Sequence, residues 1–171
     1  SVHSLSYIRS KTSSSRDFID FLSEKGMLRF LEVLKANLKG SKAYSEKAVD
    51  KASFNGHMAV LEWWKSSGLD MKYSAEAMDG ASSKEHVAVL EWWKSSGLKI
   101  KRSTKAIDHA SSNGHIVVLE WWKGSGLELK WTDMAMNYAS KSGYVAVLDW
   151  WQESGLELKW TDWAMNYASE N

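Results

Sequence analysis

Hydrophobic residues recur along most of this chain with the spacing of short amphipathic helices. The most regular stretch reads VLEWWK. It begins at Val60, Val89 and Val118 and returns as VLDWWQ at Val147, so that the four copies start 29 residues apart. At about 100° per residue, the Val, the Leu and the second Trp of each copy fall on one face, and the Glu and the Lys fall on another. The pattern therefore predicts an amphipathic helix that is repeated every 29 residues.

A further helix is predicted upstream of each VLEWWK helix, and turn residues mark its two ends. A Ser or Thr precedes it in every repeat and can cap its free backbone N–H groups through the side-chain oxygen. These capping residues are Ser45, Ser74, Ser103, Thr132 and Thr161. Gly56, Gly114 and Gly143 stand at the other end, where glycine adopts a positive φ at little cost. Glu85 takes that place in one repeat, and a left-handed backbone there would cost about 1 kcal/mol.

The 29-residue period divides the chain into one degenerate and four full repeats, each with the order helix, turn, helix, loop. We interpret residues 1–15 as a linker or a frayed lead-in to the first helix, and residues 16–171 as one repeat domain. In that domain 16–47 form a polar N-terminal cap, the full repeats span 48–76, 77–105, 106–134 and 135–163, and a half-repeat covers 164–171. The predicted fold class is all-α, a solenoid of stacked helix–turn–helix units. Because the half-repeat lacks its second helix, we expect the natural chain to continue past Asn171.

Each VLEWWK helix carries two adjacent tryptophans, which fall on different sides of it. The second tryptophan shares a face with the Val and the Leu, so this set should be buried. It comprises Trp64, Trp93, Trp122 and Trp151. The first tryptophan falls on the flank, so this set should be more exposed. It comprises Trp63, Trp92, Trp121 and Trp150. Exposed indole rings can stack on sugars or on single-stranded nucleic acid, which makes the first tryptophans a candidate binding feature.

The repeat at 106–134 resembles an ankyrin repeat. The residues that fall in the spacing of that family are Ala110, Gly114, His115, Val118, Leu119, Trp122 and Gly126. The resemblance covers roughly residues 16–171. It implies two antiparallel helices per repeat, a concave surface made by the first helices, and recognition of other proteins rather than catalysis. The period is 29 instead of about 33 residues, so the β-hairpin fingers of the family should be cut short. Ala106 and Asp108 replace the Pro and the His of the family's T-P-L-H-x-A box, and Trp-Trp-Lys replaces three aliphatic residues.

Composition and charge restrict the class of protein. Of the 171 residues, 44% are hydrophobic, which is too many for a disordered chain. There is no cysteine, so disulfides are excluded and a reducing compartment such as the cytoplasm is expected. No apolar run reaches the length of about 18 residues that a membrane span needs. The net charge of +1 disfavours a dedicated nucleic-acid surface. Charge is nevertheless uneven, with +4 in 1–47, +2 in 48–105 and −5 in 106–171, and this polarity favours head-to-tail contacts between copies.

No cluster of residues predicts catalysis, a cofactor or a metal. Two types of titratable residue recur at the repeat period, as His57, His86 and His115 and as Asp50, Asp79 and Asp108. Adjacent repeats would hold the imidazoles farther apart than one ion spans, and companion ligands are missing. We interpret the histidines as hydrogen-bonding across the turn and the aspartates as structural. No G-x-S-x-G motif and no glycine-rich phosphate loop occurs. We therefore predict that the protein is not an enzyme.

The positions at which the repeats differ indicate a binding surface. They recur in the first helix at i, i+4 and i+7, which places them on one face. Along the chain this face changes from Lys-rich to rich in Tyr, Trp and Met, the residue types that are common in protein interfaces. The residues predicted to bind a protein partner on the concave first-helix surface are Lys51, His109, Met134, Tyr138, Trp163 and Tyr167. The alternatives are a structural or self-assembling protein, and a carbohydrate- or nucleic-acid-binding protein that uses the first tryptophans.

Overall fold

The computed structural model describes residues 15–39 and 43–161, and these residues form helices and connecting turns without a strand. The helices are α1 (Ser15–Glu24), α2 (Leu28–Leu38), α3 (Lys47–Phe54), α4 (Met58–Ser66), α5 (Glu76–Ser83), α6 (Val87–Ser95), α7 (Lys105–Ser112), α8 (Ile116–Gly124), α9 (Met134–Lys141) and α10 (Val145–Glu153). A turn of three residues joins the two helices of each pair, from α1 and α2 to α9 and α10. The predicted all-α chain of helix–turn–helix units is confirmed for this part of the sequence.

The first helix of every pair is followed by a residue with a positive φ. In the turn between α3 and α4, Gly56 has a φ of 72°, and its N–H donates to the carbonyl of Ser53 at 3.2 Å. The N–H of His57 donates to the carbonyl of Ala52 at 2.9 Å, which completes a Schellman motif. Glu85, at the equivalent place between α5 and α6, has a φ of 59°. It is the only non-glycine residue with a positive φ in residues 15–39 and 43–161, as its position in the repeat predicts.

The chain divides into two compact units between Ala77 and Met78. This division lies one residue after the predicted boundary between the repeats 48–76 and 77–105. In the first unit α1 packs on α3, and α2 packs on α4. In the second unit α7 packs on α9, α6 on α8, and α8 on α10. Within each unit, equivalent helices of successive repeats therefore lie side by side.

The second tryptophans form the centre of the core, as their position on the helix predicts. Trp64, Trp93, Trp122 and Trp151 are each at most 1% exposed. The indole N–H groups of three of them donate to serine hydroxyls on the first helix of the preceding repeat, from Trp64 to Ser23, from Trp122 to Ser82 and from Trp151 to Ser111, at 3.0 to 3.2 Å. A buried indole needs such an acceptor, so each serine fixes the orientation of the tryptophan that covers it.

A second contact joins an aspartate on the first helix of a repeat to the residue that caps the first helix of the next repeat. Asp50 accepts hydrogen bonds from the backbone N–H of Ser74 at 2.9 Å and from its hydroxyl at 2.6 Å. Asp79 holds Ser103 and Asp108 holds Thr132 in the same way. The Ser74 hydroxyl in turn accepts the N–H of Glu76 at 3.1 Å, so the predicted capping role is confirmed. The aspartates were interpreted as structural, and these bonds show what they hold.

Candidate partner-binding site

The exposed face of α9 carries two of the residues that the sequence predicts to bind a partner. Met134 and Tyr138 lie one turn apart, with 52% and 42% of their surfaces exposed. They line a cavity of about 230 Å³, which we call the α9 groove. The other residues that line the α9 groove are Asp133, Asn137, Lys141 and Thr161. The first three belong to α9 and the residue before it, whereas Thr161 comes from the segment that follows α10.

The side-chain amide of Asn137, which lines the α9 groove, is held in place by three hydrogen bonds. Its Nδ2 donates to Oδ2 of Asp133 and to Oγ1 of Thr161, both at 3.1 Å, and its Oδ1 accepts the backbone N–H of Thr161 at 3.2 Å. In the preceding repeat Asp108 occupies this position and accepts the hydroxyl of Thr132 instead. Both N–H groups of the amide are therefore engaged inside the protein. Met134 and Tyr138 are the exposed apolar and aromatic groups of the groove that a partner can contact, and Lys141 is exposed beside them.

The structure places the other predicted site residues in different parts of the chain. His109 is exposed on α7, the helix that packs on α9, at the position equivalent to Tyr138. Lys51 is exposed on α3 in the first compact unit, where its Nζ lies 5.7 Å from the centroid of the Phe54 ring. Trp163 and Tyr167 lie outside the described residues. Met134 and Tyr138 are thus the predicted residues that share one groove, with His109 on the adjoining helix.

Sequence reasoning missed four residues of the α9 groove. Lys141 stands at a third position that varies between repeats, so the variation was a signal that could have found it. Asn137 carries a weaker signal, because an asparagine replaces the aspartate of the three preceding full repeats. Asp133 and Thr161 have no such signal. Thr161 is brought to the groove by a hydrogen bond to a residue 24 positions earlier, and no local pattern reports that.

The first tryptophans are more exposed than the second ones, as helical periodicity predicted, but they are not open flank residues. Trp63, Trp92 and Trp150 are 9%, 7% and 8% exposed, and Trp121 is half-buried. Within each unit the preceding second helix covers this flank, since α2 packs on α4, α6 on α8 and α8 on α10. Trp150 shows the contact, since its indole N–H donates to the carboxylate of Glu120 at 2.6 Å. Its ring also meets that of Trp151 nearly edge-on, with centroids 5.1 Å apart. The buried ring of Trp150 therefore lacks the open face that stacking on a sugar or a base requires.

The imidazoles of His57 and His115 bind the preceding repeat and not their own turn, which corrects that part of the interpretation. Nε2 of His57 lies 2.9 Å from the carbonyl oxygen of Glu24, and Nε2 of His115 lies 3.1 Å from that of Ser83. A carbonyl oxygen only accepts, so Nε2 carries the proton in both residues. Nδ1 of His115 also lies 3.7 Å from the carboxylate of Glu85. The histidines are structural, but the contact that they make is one between repeats.

Two kinds of site are missing from the part of the chain that the structure describes. Residues 15–39 and 43–161 contain no group of three or more His, Cys, Asp or Glu side chains that could hold a metal ion. In the same ranges, no helix has both the length and the apolarity that crossing a bilayer requires.

Comparison with known proteins adds one match. No protein-family profile matches the chain. A protein of Acanthamoeba polyphaga mimivirus, itself described as uncharacterized, is 41% identical to this chain over 56 residues. The matched segment is 33% of this chain and 17% of the viral protein, so the match covers about a sixth of that protein's length. The match is nearly as long as two repeats, since 2 × 29 = 58.

Proposed function

We propose that this protein is an ankyrin-like solenoid and that it binds another protein through its first helices. In a repeat array each repeat contacts only its neighbours, so contacts must recur from one repeat to the next. Contacts of this kind are made by the tryptophan–serine bonds, such as that of Trp151 with Ser111, and by the aspartate–serine bonds, such as that of Asp50 with Ser74. Three-residue turns and a fixed 29-residue period are further support.

The observation that carries the binding proposal is the exposure of Met134 and Tyr138 on α9. The packing of this helix is provided by Ala135, Met136 and Ala139, which are at most 1% exposed. Met134 and Tyr138 are therefore not needed for the core. Tyrosine and methionine are enriched at protein interfaces, and tyrosine is common among the residues that dominate binding energy.

The size of the α9 groove favours a protein partner over a small molecule. Small-molecule sites have volumes of about 300 to 1,000 Å³ and enclose most of their ligand. The α9 groove measures about 230 Å³ and opens on the helix surface beside two exposed side chains. A cavity of this size accepts one or two side chains of a larger partner. An apolar side chain between Met134 and Tyr138, with polar groups near Asp133 and Lys141, fits its lining.

The test compares the double variant Met134→Ala with Tyr138→Ala against the single variant Tyr144→Ala. Tyr144 is a matched control because it is 38% exposed, close to the 42% of Tyr138, and lies outside the α9 groove. Proteins captured by the immobilised wild-type chain are identified, and their Kd values are measured by calorimetry for each variant. We expect the double variant to raise Kd at least about tenfold and the control to leave it within about twofold.

Thermal unfolding of both variants shows whether the fold is retained. A folded double variant that binds the captured protein as tightly as the wild type would show that the α9 groove is not the binding site.

A further inference from the structure

In each compact unit, the second helix of one pair has an open face, by which we mean a face with a highly exposed valine. These helices are α2 in the first unit and α10 in the second. Val33 on α2 is 77% exposed and Val145 on α10 is 64% exposed, the two highest values among the large hydrophobic side chains of residues 15–39 and 43–161. α2 packs on α1 and α4, and α10 packs on α9 and α8, so each valine lies on a helix with a single second-helix neighbour among the contacts within its unit. The residues equivalent to Val33 and Val145 on other second helices, Trp63 and Ile116, are buried and half-buried, so the exposed valines mark faces that other repeats cover elsewhere in the chain.

The packing of α8 on α10 shows which face of a second helix contacts the preceding repeat and which face contacts the following repeat. The tryptophan of the later helix donates to the glutamate of the earlier helix, as in the bond from Trp150 to Glu120. The residue of α10 that is equivalent to Glu120 is Asp149, which is exposed and lies one turn after Val145. α10 therefore shows the face that receives a following helix. The residue of α2 that is equivalent to Trp150 is Val33, so α2 shows the face that packs on a preceding helix.

α2 and α10 carry opposite net charges, whereas each of the three VLEWWK helices that lie between them in the sequence has a net charge of zero. α4, α6 and α8 each hold one Glu and one Lys, which gives zero. α2 holds Arg29, Lys35 and Glu32, a net charge of 2 − 1 = +1. α10 holds Asp149 and Glu153, a net charge of −2, because Gln152 stands where the other three helices have Lys. The two open faces are therefore complementary in charge as well as in apolar character.

We propose that copies of this protein associate head to tail, with the α2 face of one copy against the α10 face of the next. The contact continues the packing of α8 on α10 from one chain to another, and it sets Val33 of one copy beside Val145 of the other. Because the two faces are different, the contact is heterologous, and assembly grows with concentration instead of stopping at a symmetric dimer. The opposite charges of the two faces attract each other, and added salt screens this attraction.

The test is sedimentation equilibrium of the full chain over a range of concentrations, with two variants that each disable one face. Val33→Asp sets a negative charge against the acidic α10 face, and Val145→Lys sets a positive charge against the basic α2 face. Val117 on α8 supplies the matched control, since it is 59% exposed and lies on neither helix. We expect the mean mass of the wild type, of Val117→Asp and of Val117→Lys to rise with concentration above 19.4 kDa. Each face variant alone should stay at that mass.

A mixture of the two face variants tests whether the α2 face of one copy contacts the α10 face of another. Val33→Asp keeps an intact α10 face and Val145→Lys keeps an intact α2 face, so their mixture should form a 1:1 pair that grows no further. A wild type that stays at 19.4 kDa throughout overturns the proposal. So does a mixture that stays monomeric, or a control that abolishes assembly as the face variants do. None of these substitutions lies in the α9 groove, so the result is independent of the proposed partner binding.

Discussion

The indole N–H of Trp151 donates a hydrogen bond of 3.1 Å to the hydroxyl of Ser111, 40 residues earlier in the chain. Both residues are buried, with exposures of 1% and 0%. The pair therefore joins the core tryptophan of one repeat to the first helix of the repeat before it. Its geometry recurs at Trp122 and Ser82, which makes it a regular link between repeats of the second unit.

Replacing Ser111 with alanine should destabilise the protein by about 1 to 3 kcal/mol, because the buried indole N–H of Trp151 loses its acceptor. Guanidinium unfolding followed by tryptophan fluorescence measures this free energy. Ser112→Ala is the matched control, since the Ser112 hydroxyl donates to the carbonyl of His109 within its own helix at an exposed site. The control should change stability by less than about 0.5 kcal/mol. Equal losses in the two variants would contradict the role of the tryptophan–serine bond.

Replacing Glu85 with glycine should stabilise the protein by up to about 1 kcal/mol, because Glu85 adopts a left-handed backbone that glycine accepts without strain. The measurement is the thermal unfolding midpoint. Glu85→Ala separates strain from charge, since alanine keeps the left-handed strain and removes the carboxylate that lies 3.7 Å from His115. We expect no gain from alanine. A gain of the same size in both variants would assign the effect to the carboxylate instead of the backbone.

The Asp50 carboxyl should make stability depend on pH in a defined direction. Burial raises the pKa of this carboxyl above its ordinary value of 3.8, hydrogen bonds from Ser74 oppose the rise, and the nearby Glu46 and Glu76 add to it. A pKa that is raised in the folded state means that the protonated form is favoured there. The stability that Asp50 contributes is therefore fully present below pH 3.8 and is lost as the pH rises through the folded-state pKa.

The variant Asp50→Asn isolates this effect, because asparagine does not titrate. Asn137 already fills the equivalent position and bonds Thr161, so the substitution fits the repeat. Unfolding free energies of both proteins are measured by guanidinium titration at a series of pH values that starts below 3.8. The unfolding free energy of the wild type, relative to that of Asp50→Asn, should fall as the pH rises from 3.8 through the folded-state pKa of Asp50. Two curves that stay parallel would contradict the shifted pKa.

Features that depend on one repeat could be predicted from the sequence. The 3.6-residue period placed Trp64 and Trp151 in the core, and the repeat position of Glu85 predicted its left-handed backbone. The capping role of Ser74 followed from its place before a helix. In each case the deciding interactions lie within a few residues of the chain, where periodicity and turn chemistry apply.

Features that depend on a neighbouring repeat could not be predicted. The periodicity of one helix separates its faces but does not tell which flank another helix covers, so the burial of Trp150 was missed. The partner of His115 was misassigned for the same reason, since Ser83 lies 32 residues away. A recurrent lysine had no predicted role, yet Nζ of Lys159 lies 4.7 Å from the centroid of the Trp131 ring. Thr161 lines the α9 groove and is hydrogen-bonded back to Asn137, 24 residues earlier.

Site-specific photocrosslinking tests most directly whether the α9 face is where this protein binds another protein. A benzophenone-bearing phenylalanine replaces Tyr138 in one variant and Tyr144 in another, and each is irradiated with a captured partner. The two side chains differ little in exposure, at 42% and 38%, so exposure alone does not favour either position. The account predicts a crosslinked species from position 138 and none from position 144. Crosslinking from position 144 alone, or equally from both, would contradict it.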